Sequence, residues 1–192
     1  MSFSDEKIKI ENIMKEISDC VFYAAEKIVR VNQRMIDSLK ERALVAKTVR
    51  SRMCMHPSPE SDLHEMMIVH FRNTYVRPHK HVKKSESIHM VEGTADLVFF
   101  DGQGEIMDVI EMGEYKSGKN FYYRMNDDFF HTILIGSEVC IFHETTKGPF
   151  VKERDTVLAP WTPVNEDTKQ VVVYMNELRT RVNAFKAEHE VK

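Results

Sequence analysis

The sequence predicts a mainly β domain, a sandwich or barrel of short antiparallel strands, with helical additions at both ends. Three observations carry this. From Leu63 onward, apolar residues come in short runs (HEMMIVHF, TADLVFF, EIMDVIEM, NFYYRM, FFHTILI, SEVCIFHE) at nearly regular intervals, separated by polar or glycine-containing turns. The Asp101-Gly102 pair lies between two of these runs and reads as a hairpin whose glycine supplies a positive φ. At either end, apolar residues recur instead at spacings of three and four, the period of a helix with one buried stripe. The 192 residues divide into an N-terminal extension over 1–50, a barrel over 51–163 and a C-terminal helix over 164–192, and two full domains would be cramped.

Taken in order, Asp5 to Ser18 places Ile8, Ile10, Ile13, Met14 and Ile17 at helix-like spacing. Cys20 to Val31 is richer in β-formers and reads as two short strands about a tight connection, or as a continuation of that helix. Asn32 is a fair N-cap, because its side chain can accept from a free N–H of the first turn; Met35, Ile36, Leu39, Ala43 and Leu44 then form an apolar stripe on a helix ending near Lys47. Two prolines and several serines between Thr48 and Asp62 give an exposed connection after a short strand. The strand-rich region follows, with Gly113 and Gly118 marking turns. Beyond Gly148-Pro149 an irregular strap containing Pro160, Trp161 and Pro163 is expected to pack on the barrel. A last helix starts at Asp167 or Thr168 and carries Val171, Met175, Leu178, Val182 and Phe185 on one stripe, which must bury against the barrel or against a second copy of the chain.

Composition narrows the function classes. Hydrophobic residues at 42% and charged residues at 30% describe a soluble globular chain with a real core. A net charge of −3 gives no electrostatic case for nucleic acid, and no nucleic-acid-reading motif occurs. Cys20, Cys54 and Cys140 are odd in number and include no CxxC pair, so no disulfide framework is expected, and Cys140 in SEVCIF reads as a small core residue. The N-terminus carries acids where a signal peptide would carry bases, and no 18-residue apolar run occurs; a cytoplasmic chain without a membrane partner is the expectation.

The chemistry concentrates between Tyr75 and Gly93, YVRPHKHVKKSESIHMVEG. Side chains two apart on a strand share a face, so His79 and His81 can grip one ion from one side of a sheet. Pro78 suits the start of such a strand. Val82 to Ser85 turns the chain, and the next strand sends Glu86, Ile88 and Met90 to one face and Ser87, His89 and Val91 to the other. Two imidazoles and a carboxylate are a common ligand set for a divalent transition metal, and a later histidine can complete it. The parity that makes the histidines co-facial also puts Tyr75 and Arg77 on that side, as candidate substrate-binding residues.

The pattern HxH(x4)E(x6)G formed by His79, His81, Glu86 and Gly93 resembles the first signature motif of the cupin superfamily. The wider runs RMCMHPSPESDLHEMMIVHFRNTYVRPHKH, HTILIGSEVCIFHETTKGPF and APWTP are similar to WbuC-type cupin fold metalloproteins. The resemblance spans about Met35 to Pro163 and implies a double-stranded β-helix, or jelly-roll barrel, with a metal inside. It implies His131 as a fourth ligand beside His79, His81 and Glu86. The second motif departs from the family at Asn126 and Asp128, where a proline and a glycine are usual, so the turn chemistry there differs. Lys84 and Glu144 also match family positions and are candidate catalytic residues; a solvated turn for Lys84 and a rim salt bridge or metal-supporting role for Glu144 are the alternatives. His143 would enter the barrel in place of Glu144 if the register of that strand ran the other way.

Three imidazoles and one carboxylate leave open coordination positions, which Fe(II), Mn(II), Zn(II), Ni(II) or cobalt can all supply. The ion, Arg77 and Lys84 would make a positive pocket that favours a small anionic ligand. The resemblance implies a sugar or sugar-nucleotide substrate in bacterial cell-surface polysaccharide metabolism, with isomerase-, epimerase- or oxygenase-like chemistry, and a homodimer. A non-catalytic binding or sensing module and a structural metalloprotein are the competing readings, because one fold hosts many activities.

Overall fold

Twelve strands and three helices follow from these patterns in the computed structural model, which describes residues 14–189. The strands are β1 (Met14–Ser18), β2 (Val21–Ala24), β3 (Arg50–Cys54), β4 (Leu63–Phe71), β5 (His79–His81), β6 (Glu86–Glu92), β7 (Thr94–Phe100), β8 (Ile106–Gly113), β9 (Tyr122–Met125), β10 (Phe130–Ile135), β11 (Val139–Lys147) and β12 (Thr156–Leu158). The helices are α1 (Gln33–Val45), α2 (Lys152–Asp155) and α3 (Thr168–Glu188).

The strands form two sheets, ordered β1-β2-β3-β4-β11-β6-β9 and β12-β5-β10-β7-β8. From β4 to β7 successive strands switch sheets, and β9, β10 and β11 do so again, so the chain winds around one interior as a jelly-roll barrel. Every ladder is antiparallel except β2 with β3. Inward side chains of both sheets, among them Ile88, Leu97, Ile133 and Phe142, make the central core. Two further apolar layers lie outside the barrel. Met35, Ile36, Leu39 and Ala43 of α1 bury against Met53, Val69 and Ile141 on the outer face of the larger sheet. Leu178 and Val182 of α3 bury against Val98, Val109 and Leu134 on the outer face of the smaller one. The C-terminal stripe is therefore covered by its own barrel.

Asn32 caps α1 by accepting from the Met35 N–H at 3.2 Å, and Asp167 caps α3 by accepting from the Gln170 N–H at 3.0 Å. Several expectations are corrected. The helix over Asp5–Ser18 falls mostly outside the described residues, and its described end is β1, paired to β2. Of the two strands expected between Cys20 and Val31 only β2 forms. Leu44 is 61% exposed, because α1 ends one residue later and its position has rotated off the buried stripe. The β7–β8 hairpin exists, but its positive φ belongs to Gly104 (+90°), not Gly102. Asp101 there accepts from the N–H groups of Gln103 and Glu105, so the loop is wider than a two-residue turn. The strap contains α2 and β12, and β12 pairs with β5 along the edge of the smaller sheet.

Gly93 joins β6 to β7 with φ +84°. A Cβ there would lie 2.3 Å from the Val139 carbonyl oxygen, so the glycine of the motif answers to both dihedral and space.

A candidate metal centre inside the barrel

The centre is assembled from both sheets. His79 and His81 occupy the ends of three-residue β5, and β10 places His131 directly opposite His79 in the ladder. Glu86 opens β6 on the facing sheet and crosses the interior toward them. Its approach is set by the turn at 82–85, where Lys83 adopts φ 55° and its N–H donates to Asp128 Oδ1 at 2.8 Å. Asp128 thus uses its side chain to hold the turn at 82–85.

The nitrogen donors of His79, His81 and His131 lie within 4.8 Å of one another. His79 Nδ1 is 2.9 Å from the Arg77 carbonyl and His131 Nδ1 is 3.0 Å from the Phe129 carbonyl. A carbonyl oxygen can only accept, so Nδ1 carries the proton in both rings and Nε2 is the nitrogen left for an ion. His81 Nε2 is 3.1 Å from Glu86 Oε2, and His131 Nε2 is 3.7 Å from Glu86 Oε1. The buried Tyr123 hydroxyl donates to Glu86 Oε1. Three imidazoles, an inward carboxylate and rings oriented by backbone carbonyls fit a divalent transition metal.

The electrostatics agree. Burial, then the His131 and His81 rings, hold the His79 pKa down to about 3, so this ring is neutral and able to ligate. Burial acts to raise the Glu86 pKa, but the charges and hydrogen bonds of His131 and His81 outweigh it and keep the carboxyl ionised. At His131 burial works against the charged form, and Glu86 overcomes it and raises the pKa.

Glu144 faces the interior, since its β-ladder partners Met66 and Ile88 are both core residues. Burial first, and the Glu86 charge second, push its carboxyl up to about 8. His143 points outward, 3.7 Å from Glu65, and His89 stands exposed against Phe121, as strand parity requires. A cavity of about 520 Å³ contains His79, His81, Glu86, His131 and Glu144 in its wall.

Two expected substrate contacts are not brought to this centre. The backbone from 74 to 78 is irregular and β5 begins only at His79, so the parity argument does not reach back to Tyr75 and Arg77. Tyr75 Oη donates to the Pro163 carbonyl at 3.0 Å, and Arg77 donates to Thr162 Oγ1 at 2.9 Å and the Ala159 carbonyl at 3.2 Å; both clamp the strap. Lys84 does line the cavity, but its ammonium is 3.1 Å from Asp155 Oδ2 and donates to the carbonyls of Lys147 (2.8 Å) and Pro149. Its charge is neutralised and it pins 147–155. Tyr123 is a residue of the centre that the sequence analysis did not single out. The missing information was the β6–β9 register, which sets Tyr123 opposite Ile88 and aims it at Glu86. His56, His64 and His70 also lie in the cavity wall.

The family model that matches, a domain of unknown function (DUF6016), covers residues 31–112, less than half of the chain. No curated protein matches the sequence. Among solved structures, the chain is similar to a structural-genomics target protein of Shewanella oneidensis (7% identity, 52% of this chain and 63% of that one, TM-score 0.43). It is also similar to CapF bound to the inhibitor 3-isopropenyl-tropolone (16%, 56% and 31%, 0.46) and to oxalate decarboxylase from Bacillus subtilis (18%, 52% and 24%, 0.39). The chain spans less than two thirds of the length of each.

Proposed function

We propose that this chain is a metal-dependent cupin that binds and transforms a small anionic metabolite. The observation carrying the reading is the convergence of His79, His81, His131 and Glu86, with both Nδ1 protons of the opposed His79–His131 pair tied to carbonyls and Nε2 turned to the centre. A divalent ion held by these four groups would supply Lewis-acid polarisation of a ligand oxygen. The chain's own residues supply the remainder. Tyr123 fixes the orientation of Glu86 through its hydroxyl. Glu144, whose carboxyl burial and the Glu86 charge push up, is placed in the cavity wall to deliver a proton to, or take one from, a ligand. Isomerisation, epimerisation and elimination next to a carbonyl all need such a group. The sugar or sugar-nucleotide class of cell-surface polysaccharide metabolism rests on the motif resemblance and sets the first ligands to screen.

The test is thermal denaturation of protein loaded with Mn(II), Zn(II), Ni(II) or Fe(II), with sugar phosphates and nucleotide sugars added. A ligand of the native state raises the midpoint in a concentration-dependent way. That rise should be smaller in His81→Gln than in the native chain. Turnover lost in Glu144→Gln with metal content and ligand binding kept would assign the proton transfer, and a ligand bound equally well by His81→Gln would contradict the proposal.

A further inference from the structure

The cavity carries positive charge from a source other than the expected Arg77 and Lys84. On β3, Ser51 and Met53 turn outward to α1, so Arg50 and Arg52 turn to the other face, and both line the cavity. The ladder pairs them with His70 and Ile68 of β4. Arg50 is half-buried and Arg52 is exposed at the opening. Among the described residues neither guanidinium has a hydrogen bond or ion pair. Arg30 and Arg34 are also unpaired but lie exposed outside the cavity, whereas Arg42, Arg72, Arg77, Arg154, Arg179 and Arg181 each reach a carboxylate or a carbonyl.

His70 supplies an independent observation. It is 6% exposed, lines the same cavity beside Arg50, and its Nδ1 has no hydrogen-bond partner among the described residues. Buried polar atoms are almost always satisfied, and an orphan beside two unpaired arginines marks a place built for a ligand. The two arginine charges, after burial, hold the His70 pKa down to about 3. Glu144 lines the same cavity as Arg50 and Arg52.

We propose that Arg50, Arg52 and His70 form an anion subsite at the end of the cavity away from the histidine cluster. It takes the carboxylate or phosphate of a small ligand whose other end lies at His79, His81 and His131. Planar guanidinium forks suit either group through paired N–H donors, and a fixed cation pair sets the ligand's direction in the cavity. The placement of the ligand's far end rests on the metal reading above; the subsite itself does not.

The experiment is calorimetric titration of the full chain with inorganic phosphate and with succinate at constant ionic strength, in chelator-treated and metal-loaded protein. Saturable binding of one of the two is expected in both forms, and the preferred anion tells phosphate from carboxylate. Arg50→Gln and Arg52→Gln should each weaken it about tenfold or more, equivalent to about 1.4 kcal/mol. Arg52→Lys should recover part of the loss, and His81→Gln should bind normally. Because Arg52 is exposed, its substitution leaves the fold intact, which unchanged thermal denaturation checks. Absence of binding to both anions, or equal affinity in the glutamine variants, overturns the subsite. Binding lost in His81→Gln but kept in the arginine variants also overturns it, while leaving the metal reading standing. Arginine-dependent binding by a chain that takes up no metal has the opposite meaning: the subsite holds and the metal reading fails.

Discussion

Replacing Glu144 by glutamine should change how stability depends on pH, in a direction fixed by the carboxyl's surroundings. Glu144 sits inside the barrel near a second carboxylate, and burial followed by the Glu86 charge push it up to about 8 from an ordinary 4.5. In the unfolded chain the group loses its proton near 4.5; in the folded, metal-free chain it keeps it to about 8. Over that window the folded state binds more protons, so this group makes stability fall as pH rises, by about 1.4 kcal/mol per pH unit. The ceiling is about 5 kcal/mol at pH 8 and vanishes at the acid end. Glutamine resembles the protonated acid in shape and cannot ionise, so Glu144→Gln should match the native chain near pH 5 and become progressively more stable toward pH 8. Histidines such as His79, held down to about 3 from 6.5, add an opposite slope below about pH 6.5 to both proteins, which cancels in the comparison. Urea unfolding midpoints of chelator-treated protein, measured in half-unit steps from pH 5 to 8, would show the divergence. Parallel curves would refute the assignment of Glu144 as a carboxyl held neutral by burial and Glu86.

Three other perturbations have definite expected outcomes. Tyr123→Phe removes the hydroxyl on Glu86 without opening a hole, and metal affinity, measured by competition with a chelator, should fall by about 10- to 100-fold with the fold retained. His143→Ala deletes an outward ring, so metal affinity in the same assay should stay within about twofold of native. Gly93→Ala forces a Cβ against the Val139 carbonyl at a positive φ and should cost about 1–3 kcal/mol by chemical denaturation.

The barrel was legible because period-two alternation and turn residues are local signals. Glu86, Ile88 and Met90 are buried while His89 and Val91 are exposed, as alternation required, although Ser87 of the second face is buried as well. The candidate ligands were proposed on related grounds: two sit on one short strand, the motif spacing marks Glu86, and the family resemblance alone marks His131. Strand parity does not hold for residues 74–78, which form no strand. Tyr75 and Arg77 precede β5 on irregular backbone, and their contacts to Pro163, Thr162 and Ala159 depend on a strap more than 80 residues downstream. The neutralised Lys84 needed the same kind of long-range information, the position of Asp155. Arg50 and Arg52 were hidden by the pairing of β3 with β4, which turns an ordinary-looking RSRMC segment into the cavity wall.

Diffraction at the absorption edge of a bound divalent transition metal tests the account most directly. Crystals of the full chain should show one anomalous peak, enclosed by His79, His81, Glu86 and His131, at full occupancy and absent from His79→Ala. A peak at another location, or no peak there from protein soaked in the metal, would contradict the proposed centre.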